Sequence, residues 1–261
     1  MAKAVPSSEA ERDASRLRSV TRVFDVLDAI SATHDASALA SVARRAHLHP
    51  ATALRYLRSL EQRGYVRHDP NEGYRIGPRL FELGTMYADS LSIHRYADQI
   101  ARDLSAATHE TASVGVLDSG CILYVAIANG QHEFGIQSHA GTRHPAYCTA
   151  LGKAILAFLP WDETSEVLAA SPLTRLTPRT HVDIGDLRAD LERTAVRGYA
   201  VDDEERLTGV VCIGAPIFDE AHRVAGAVSI SGPKVRIHRR SWESFGRLVT
   251  DAASKGSRRL G

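Results

Sequence analysis

The stretch HLHPATALRYLRSLEQRGYV, residues 47–66, combines a proline, a helical repeat of leucines and a glycine in an order that fixes where a helix begins and ends. Pro50 fits the first turn of a helix, where its missing N–H needs no partner, and Gly64 fits the left-handed position that follows a helix. At about 100° per residue the three leucines in between share one side. The pattern predicts a helix that packs by its leucines and turns small or cationic side chains outward.

Two further helical patterns precede this helix. Apolar residues recur at helical spacing between Val20 and Ile30, and a shorter repeat covers residues 37–46, with Asp35 or Ser37 as the candidate N-cap. After Gly64, two short alternating runs flank a turn-forming cluster, which predicts a β-hairpin. Three helices followed by a hairpin are typical of a winged helix-turn-helix.

The outward side of the third helix carries groups suited to the major groove of DNA. A guanidinium can bind O6 and N7 of guanine together, and a threonine can serve several bases, so Arg55 and Thr52 are the candidate base readers. Arginines on the hairpin are expected to contact phosphate. The predicted DNA-binding residues are Pro50, Ala51, Thr52, Arg55, Ser59, Arg67 and Arg75. A surface arginine alone is most often only solvated, so the prediction depends on the helices and the hairpin occurring together.

Charge and cysteine content narrow the class of protein. The formal net charge is +1, but residues 1–80 carry 13 Lys and Arg against 9 Asp and Glu, so this part is about +4 and the rest about −3. This mild asymmetry supports nucleic-acid binding only in company with the motif. Three cysteines without CxxC spacing argue against disulfides and zinc fingers. No long apolar run or signal-peptide pattern occurs, so we expect a cytoplasmic protein without membrane contact.

The remaining chain divides into a connector and a larger module. We expect a disordered leader over residues 1–15, the winged helix-turn-helix over 16–77 and a linker helix over 78–108, with a break near Gly84. Beyond it, β-rich runs at ASVGVLD, CILYVAI and FGIQS precede helices near 149–159, 162–170 and 185–197, two more strands and a closing helix at 237–254. Sheet and helices together predict an α+β domain over 109–255, followed by a tail over 256–261.

Several segments at this spacing resemble the IclR family of bacterial transcriptional regulators, over nearly all of residues 17–236. They are HPATALRYLRSLEQRGYV with GYRIGPRLFELG, then GTRHPAYCTALGKAILA, and finally RGYAVDDEERLTGVVCIGAPIFDEAHRVAGAVSISGP. The resemblance implies a GAF-like C-terminal domain that binds a small effector, and a homodimer or homotetramer on double-stranded operator DNA. His47 departs from the family in the helix-helix turn, where Gly is usual, and Ala150 stands where some relatives have Gly.

When the family's motifs are matched to this sequence, the resemblance implies an effector site at Ala150, Leu151, Asp202, Cys212, Ser229 and Ser231. Ser229 and Ser231 lie two residues apart on one predicted strand and therefore face the same side. Backbone N–H groups at a helix start, at Ala150 and Leu151, favour an anion. We therefore expect a small organic or aromatic acid as effector, bound without any cofactor. A buried, purely structural Cys212 is the alternative reading of that residue.

Three alternatives stay open at this point. The same parts serve a repressor, the commoner behaviour of the family, and an activator. An enzyme is a remote alternative, because Cys148 near His144 lacks a surrounding catalytic pattern and the acidic run 202–205 is expected to be a solvated loop before a strand. A metal site is another, since His132, His139 and His144 could meet by folding, but no metal-binding spacing supports it. We predict neither catalysis nor a bound metal.

Overall fold

The computed structural model describes residues 9–260 except 34, 134, 137 and 171, with side chains from Leu17 onward. The chain forms two compact units, divided after Tyr87. Each unit has a hydrophobic core of its own.

The first unit contains three helices and a two-stranded wing: α1 (Glu9–Ser31), α2 (Leu39–Arg45), α3 (Pro50–Gln62), β1 (Val66–Asp69) and β2 (Gly73–Ile76). Its core joins one face of each helix to the wing, through Val26, Ile30, Val42, Leu57, Leu60, Val66 and Tyr74. The predicted leader over residues 1–15 is corrected in its second half, because α1 already begins at Glu9. The run EAERDASR is rich in good helix formers. Residues 1–8 lie outside the described residues.

The turn between α2 and α3 has the conformation that the sequence requires. His47 has φ +51°, in the left-handed region, which histidine tolerates better than most residues. Pro50 begins α3, the side chain of His49 accepts a hydrogen bond from the N–H of Ala51 at 3.3 Å, and Gly64 follows the helix with φ +77°. Asp35 or Ser37 as cap of α2 is wrong, because Ser37 instead exchanges backbone hydrogen bonds with Tyr74 of the wing.

The linker consists of two helices, not one. α4 (Pro78–Ser90) passes through Gly84 without a break, and α5 (His94–Thr108) begins after a turn at residues 91–93. A break near Gly84 is therefore wrong. The chain turns where Ile93, only 1% exposed, enters the core of the second unit together with the apolar face of α5. Burial, and not glycine, sets the position of the break.

The second unit is built on a six-stranded antiparallel sheet. In chain order the strands are β3 (Thr111–Asp118), β4 (Cys121–Ala128), β5 (Arg143–Pro145), β6 (Ala200–Asp203), β7 (Val210–Phe218) and β8 (Val224–Pro233). Their order in the sheet is β5-β4-β3-β8-β7-β6, which puts β8 in the middle. One face packs on α5 and α9 (Trp242–Leu260). The other packs on α6 (Ala150–Leu156), α7 (Trp161–Ala169) and α8 (Ile184–Arg197).

Two predicted segments of this unit need correction. The described residues of FGIQS, 135, 136 and 138, form no strand, whereas the short β5 pairs with β4 instead. The tail over 256–261 continues α9 to Leu260, because Gly256 is buried against Ile100 and Ile217 and holds the last turns on the core. Among the helices in the described part of the chain, none is long and apolar enough to cross a membrane.

Candidate functional site

The outward face of α3 displays most of the residues predicted to contact DNA. Pro50, Ala51, Arg55 and Ser59 are exposed, and Thr52 is half-buried. The opposite face is buried through Ala53, Tyr56, Leu57 and Leu60, while Leu54, expected there, is only half-buried. The guanidinium of Arg55 lies over the ring of Tyr56, 5.4 Å from its centroid. The face is thus free to enter a groove while its base is fixed in the core.

The wing holds two arginines directly opposite each other. Arg67 on β1 pairs in register with Arg75 on β2, and both are exposed. Like charges in this position destabilise a hairpin in isolation. Glu72 forms an ion pair with Arg75, and among the described residues no carboxylate forms an ion pair with Arg67. The wing is therefore a favourable place for an anion such as a phosphate.

In the second unit, all six residues that the resemblance implied as an effector site line one cavity, called here the polar pocket. The cavity is narrow, with a volume of about 20 Å³, which is room for about one water molecule. Ala150 and Leu151 come from the start of α6, Asp202 from β6, Cys212 from β7, and the two serines from β8. Sheet register explains the meeting, since Asp202 pairs with Cys212 and Cys212 with Ser231. The close approach of β7 to α6 requires Gly214, because a Cβ there would lie 2.9 Å from the carbonyl oxygen of Ala150.

A buried ion cluster joins α6 to the residues on either side of Asp202. The Lys153 ammonium, fully buried on α6, donates to Asp190 Oδ2 at 2.7 Å, to the Val201 carbonyl at 2.6 Å and to Glu205 Oε1 at 2.5 Å. Burial alone lowers the pKa of Lys153, but the carboxylates of Glu205 and Asp190 raise it above its usual value. The lysine is therefore charged and has all three donors satisfied, which ties α6 to α8 and to the segment after β6.

Asp202 contributes an unusual carboxyl group to the polar pocket. Its Oδ1 accepts the N–H of Glu205 at 2.7 Å, and the side chain is buried. Burial, and then the Glu205 carboxylate, raise the pKa of Asp202 to about 7, although Lys153 lowers it. The acidic run was expected to be a solvated loop. This is wrong, because Asp202 and Asp203 lie in β6 and Asp202 and Glu205 are buried where Lys153 supplies the opposite charge.

Several further residues line the polar pocket that the family's motifs did not indicate. They are Tyr124, Ile136, Ser138, His144, Thr149, Arg206, Leu207 and Val210. Arg206 donates through Nη2 to Nε2 of His144 at 2.8 Å, a contact between residues 62 positions apart. Burial, and then the charge of Arg206, lower the pKa of His144 to about 4, so the imidazole is neutral at ordinary pH. No local spacing signals such a contact, although the arginine directly after four acids could have been noted.

The described residues give the enzyme and metal alternatives little support. Burial raises the pKa of the Cys148 thiol to about 12, which leaves it protonated and a poor nucleophile. In the described ranges, the three histidines 132, 139 and 144 do not form a metal cluster. Among the residues that the structure describes, one group has metal-ligating atoms mutually within 4.8 Å: His181, Asp190 and Glu205. Lys153 already occupies both of those carboxylates.

A winged helix-turn-helix joined to a sheet domain with a polar pocket defines the class of two-domain transcriptional regulators. Comparison with known families gives the particular one. A family model described as IclR helix-turn-helix domain matches residues 19–70, and one described as bacterial transcriptional regulator IclR C-terminal matches residues 85–258. The chain belongs to the IclR family and is a DNA-binding transcriptional regulator.

Individual relatives are similar to this chain over nearly its whole length. The HTH-type transcriptional regulator KdgR of Escherichia coli (strain K12) is 30% identical over 98% of this chain and 97% of its own. The transcriptional repressor IclR of the same organism is 32% identical over 92% of this chain and 89% of its own. The crystal structure of the Thermotoga maritima IclR is similar with a TM-score of 0.79 and 30% identity, over 94% of this chain and 99% of that one.

Proposed function

We propose that this protein is a repressor that binds operator DNA through its winged helix-turn-helix and responds to a small organic or aromatic acid held in the polar pocket. The observation that carries the proposal is the polar pocket itself. Six residues from four separate segments of sequence line one buried cavity. A cavity on which polar groups from separate elements converge is a typical candidate for a small-molecule site.

The chemistry of the polar pocket supports an acid as ligand. Ser229 and Ser231 offer hydroxyl groups from one face of β8, and Arg206 brings a positive charge to the wall. Asp202 titrates near neutrality, so it can accept a hydrogen bond from a ligand hydroxyl or donate one to a ligand oxygen. Because an ionised Asp202 repels a second carboxylate, monocarboxylates fit better than dicarboxylates.

On the DNA side, the proposal assigns base reading to Thr52 and Arg55 and phosphate contacts to Arg67 and Arg75. Pro50, Ala51 and Ser59 complete the surface that faces the groove. The exposed, cationic character of α3 and the wing supports this division. Dimeric binding to two half-sites is part of the proposal, as a homodimer or a pair of dimers.

The surface of the first unit supports self-association. Phe81 and Met86 on α4 are 78% and 70% exposed, and Leu17 and Phe24 on α1 are 69% and 59% exposed. Large apolar side chains grouped on helices at this exposure mark an interaction surface. A second copy of the chain is the occupant that two-fold operator binding requires.

The test is a gel-shift titration of the purified full-length protein on DNA upstream of its own gene and of the divergent neighbour, with and without a panel of small organic and aromatic acids. We expect a specific shift whose midpoint one acid raises. If folded protein gives no specific shift on any of this DNA at low salt, the assignment of the operator to these upstream regions is contradicted. A shift that no acid alters would contradict the effector class.

An activator of the same family is the second candidate, since the same parts serve both. In vitro transcription from the shifted promoter separates the two. Repression predicts fewer transcripts as protein is added and recovery with the acid. An increase in transcripts on adding protein would establish activation instead.

A further inference from the structure

Of the described residues that line the polar pocket, Arg206 alone carries a permanent positive charge. It lies just beyond β6, after the acidic run Asp202–Glu205. An arginine in a largely enclosed wall normally has a carboxylate beside it, because an uncompensated charge in such a place is costly. In the described part of the chain, however, no carboxylate oxygen forms an ion pair with Arg206.

The four acids that precede Arg206 all have other partners. Asp203 pairs with Arg179 and Arg239, and Glu204 with Lys234. Glu205 receives Lys153, and Asp202 accepts the backbone N–H of Glu205. Elsewhere in this unit a guanidinium does take a carboxylate in two-point fashion, as Arg236 does with Glu110 at 2.5 and 2.8 Å. The guanidinium of Arg206 therefore has no carboxylate partner among the described residues.

His144 holds Arg206 without cancelling its charge. Its Nε2 accepts one N–H of Arg206 at 2.8 Å, which leaves four of the five guanidinium N–H groups without an acceptor among the described side chains. The imidazole is fixed by the pairing of β5 with β4 and by an edge-to-face contact with Tyr124, at 5.4 Å between ring centroids. A carboxylate in this position would orient the guanidinium equally well and neutralise it. A neutral imidazole orients it and keeps the positive charge for a ligand.

We propose that Arg206 determines ligand specificity by binding the carboxylate of the effector, with His144 as the positioning residue that holds its guanidinium. The inference rests on the proposed function and narrows it. Asp202, Ser229 and Ser231 line the same cavity and accept or donate hydrogen bonds, so they suit a hydroxyl group of the ligand. The effector class is then a hydroxy monocarboxylate, and the corresponding amide, which lacks the negative charge, is rejected.

The experiment measures binding affinity by isothermal titration calorimetry of the full-length protein with matched acid and amide pairs: 4-hydroxybenzoate with 4-hydroxybenzamide, and lactate with lactamide. Wild-type protein is expected to bind at least one acid about tenfold or more tighter than its amide, as the loss of a charge-assisted two-point contact implies. Arg206→Gln is expected to weaken acid binding about 10- to 100-fold and to leave amide binding within about threefold. Arg247→Gln, which removes an exposed arginine paired with Glu243 on α9, is the matched control and retains wild-type binding.

The role of His144 has its own readout. His144→Phe keeps an aromatic ring beside Tyr124 but removes the acceptor, and acid affinity is expected to fall about 3- to 10-fold, with circular dichroism unchanged. His144→Gln restores an acceptor and is expected to recover most of the loss. A merely structural role would give no recovery with glutamine.

The outcomes separate this inference from the proposed function. Equal losses of acid and amide binding in Arg206→Gln, or no loss, would overturn the carboxylate assignment, and so would wild-type protein that binds none of the acids. If a neutral compound then shifts operator affinity in the gel assay, the ligand-responsive regulator stands and only the assignment of Arg206 fails. If an acid binds through Arg206 and never alters DNA affinity, the assignment stands and the proposed response of the regulator fails.

Discussion

Arg55 shows how one exposed side chain can be tested as a base reader. It extends from the outward face of α3, which is anchored below by Leu57 and Leu60. Arg55→Ala is expected to weaken specific DNA binding by about 1 to 3 kcal/mol and to relax preference at one base pair. Competition gel shifts with single-base operator variants measure both effects.

The wing arginines provide the contrast. Arg67→Ala is expected to weaken binding to all sequences about equally and to lower the salt dependence of binding, because a phosphate contact carries no sequence information. If Arg55→Ala also weakens specific and non-specific DNA equally, base reading by Arg55 is excluded.

Asp202 links the stability of the second unit to pH. Its folded pKa of about 7 lies above an unfolded value of about 3.9, so between these pH values the folded state holds a proton that the unfolded state lacks. Its contribution to the free energy of unfolding therefore falls as pH rises through this window and is constant above it. Relative to Asp202→Asn, wild-type protein is expected to lose about 2 kcal/mol between pH 5 and pH 7.5.

Urea unfolding of both proteins without ligand, at several pH values, measures this difference. The asparagine variant is a suitable reference because its side-chain oxygen can still accept the N–H of Glu205. Taking the difference also removes the opposite contribution of His144, whose lowered pKa makes stability rise with pH between about 4 and 6.5. A difference independent of pH would show that Asp202 is ionised throughout.

Among the α-helices in the described part of the chain, α4 alone has no buried residue. Phe81 and Met86 are the most exposed apolar side chains on it. If a second copy covers this helix, Phe81→Asp together with Met86→Asp shifts the protein toward monomer, because two charges then enter an apolar interface. Light scattering after size exclusion gives the mass.

Ala195→Asp, which adds a charge on the exposed face of α8, is the control and is expected to leave the oligomer unchanged. If the double variant of α4 has the same mass in solution as the wild-type protein, there are two explanations. Either other surfaces, such as Leu17 and Phe24 of α1, hold the copies together, or the protein is a monomer.

Elements differ in how far the sequence predicts them. The winged helix-turn-helix was predictable because its signals are local: Pro50 at a helix start, Gly64 after its end and a turn cluster between two short runs. The break between α4 and α5 was not, since it depends on Ile93 entering a core formed by strands far along the chain. FGIQS has strand-like composition, yet the edge of the sheet next to β4 is taken by β5.

The same distinction applies to the polar pocket. Six residues followed from motifs that resemble a known family, and the register of β6, β7 and β8 brings them together. Arg206 and His144 had no such signal, because their contact joins residues that sequence separates widely. The burial of Asp202 and Glu205 depended likewise on Lys153, whose charge is opposite and whose position beside these carboxyl groups is visible only in the fold.

For the whole molecule, we expect a division of function: the first unit binds DNA and the second unit binds the effector. Ser229→Ala removes one hydroxyl from the polar pocket, whose described lining residues all belong to the second unit. Operator affinity without ligand is expected to stay within about twofold, while the acid concentration that releases DNA rises about 5- to 10-fold, the effect of losing one hydrogen bond. Gel shifts across an acid titration measure both quantities.

Ser254→Ala, at an exposed position on α9, is the matched control. Loss of ligand-free DNA binding in a folded Ser229→Ala protein would contradict the division, since a small change inside the second unit would then disable the first.

The place of β8 in the sheet has a consequence for synthesis on the ribosome. Everything needed for the first unit has been made by Tyr87, and domains fold as units during translation, at about 5 to 20 residues per second. The second unit must wait, because β8, its middle strand, ends at Pro233 and joins β3 to β7. For about 7 to 30 seconds of elongation, each nascent chain therefore carries a complete winged helix-turn-helix and no polar pocket. A chain whose synthesis stops in this interval has the first fold alone, without the cavity of the second unit.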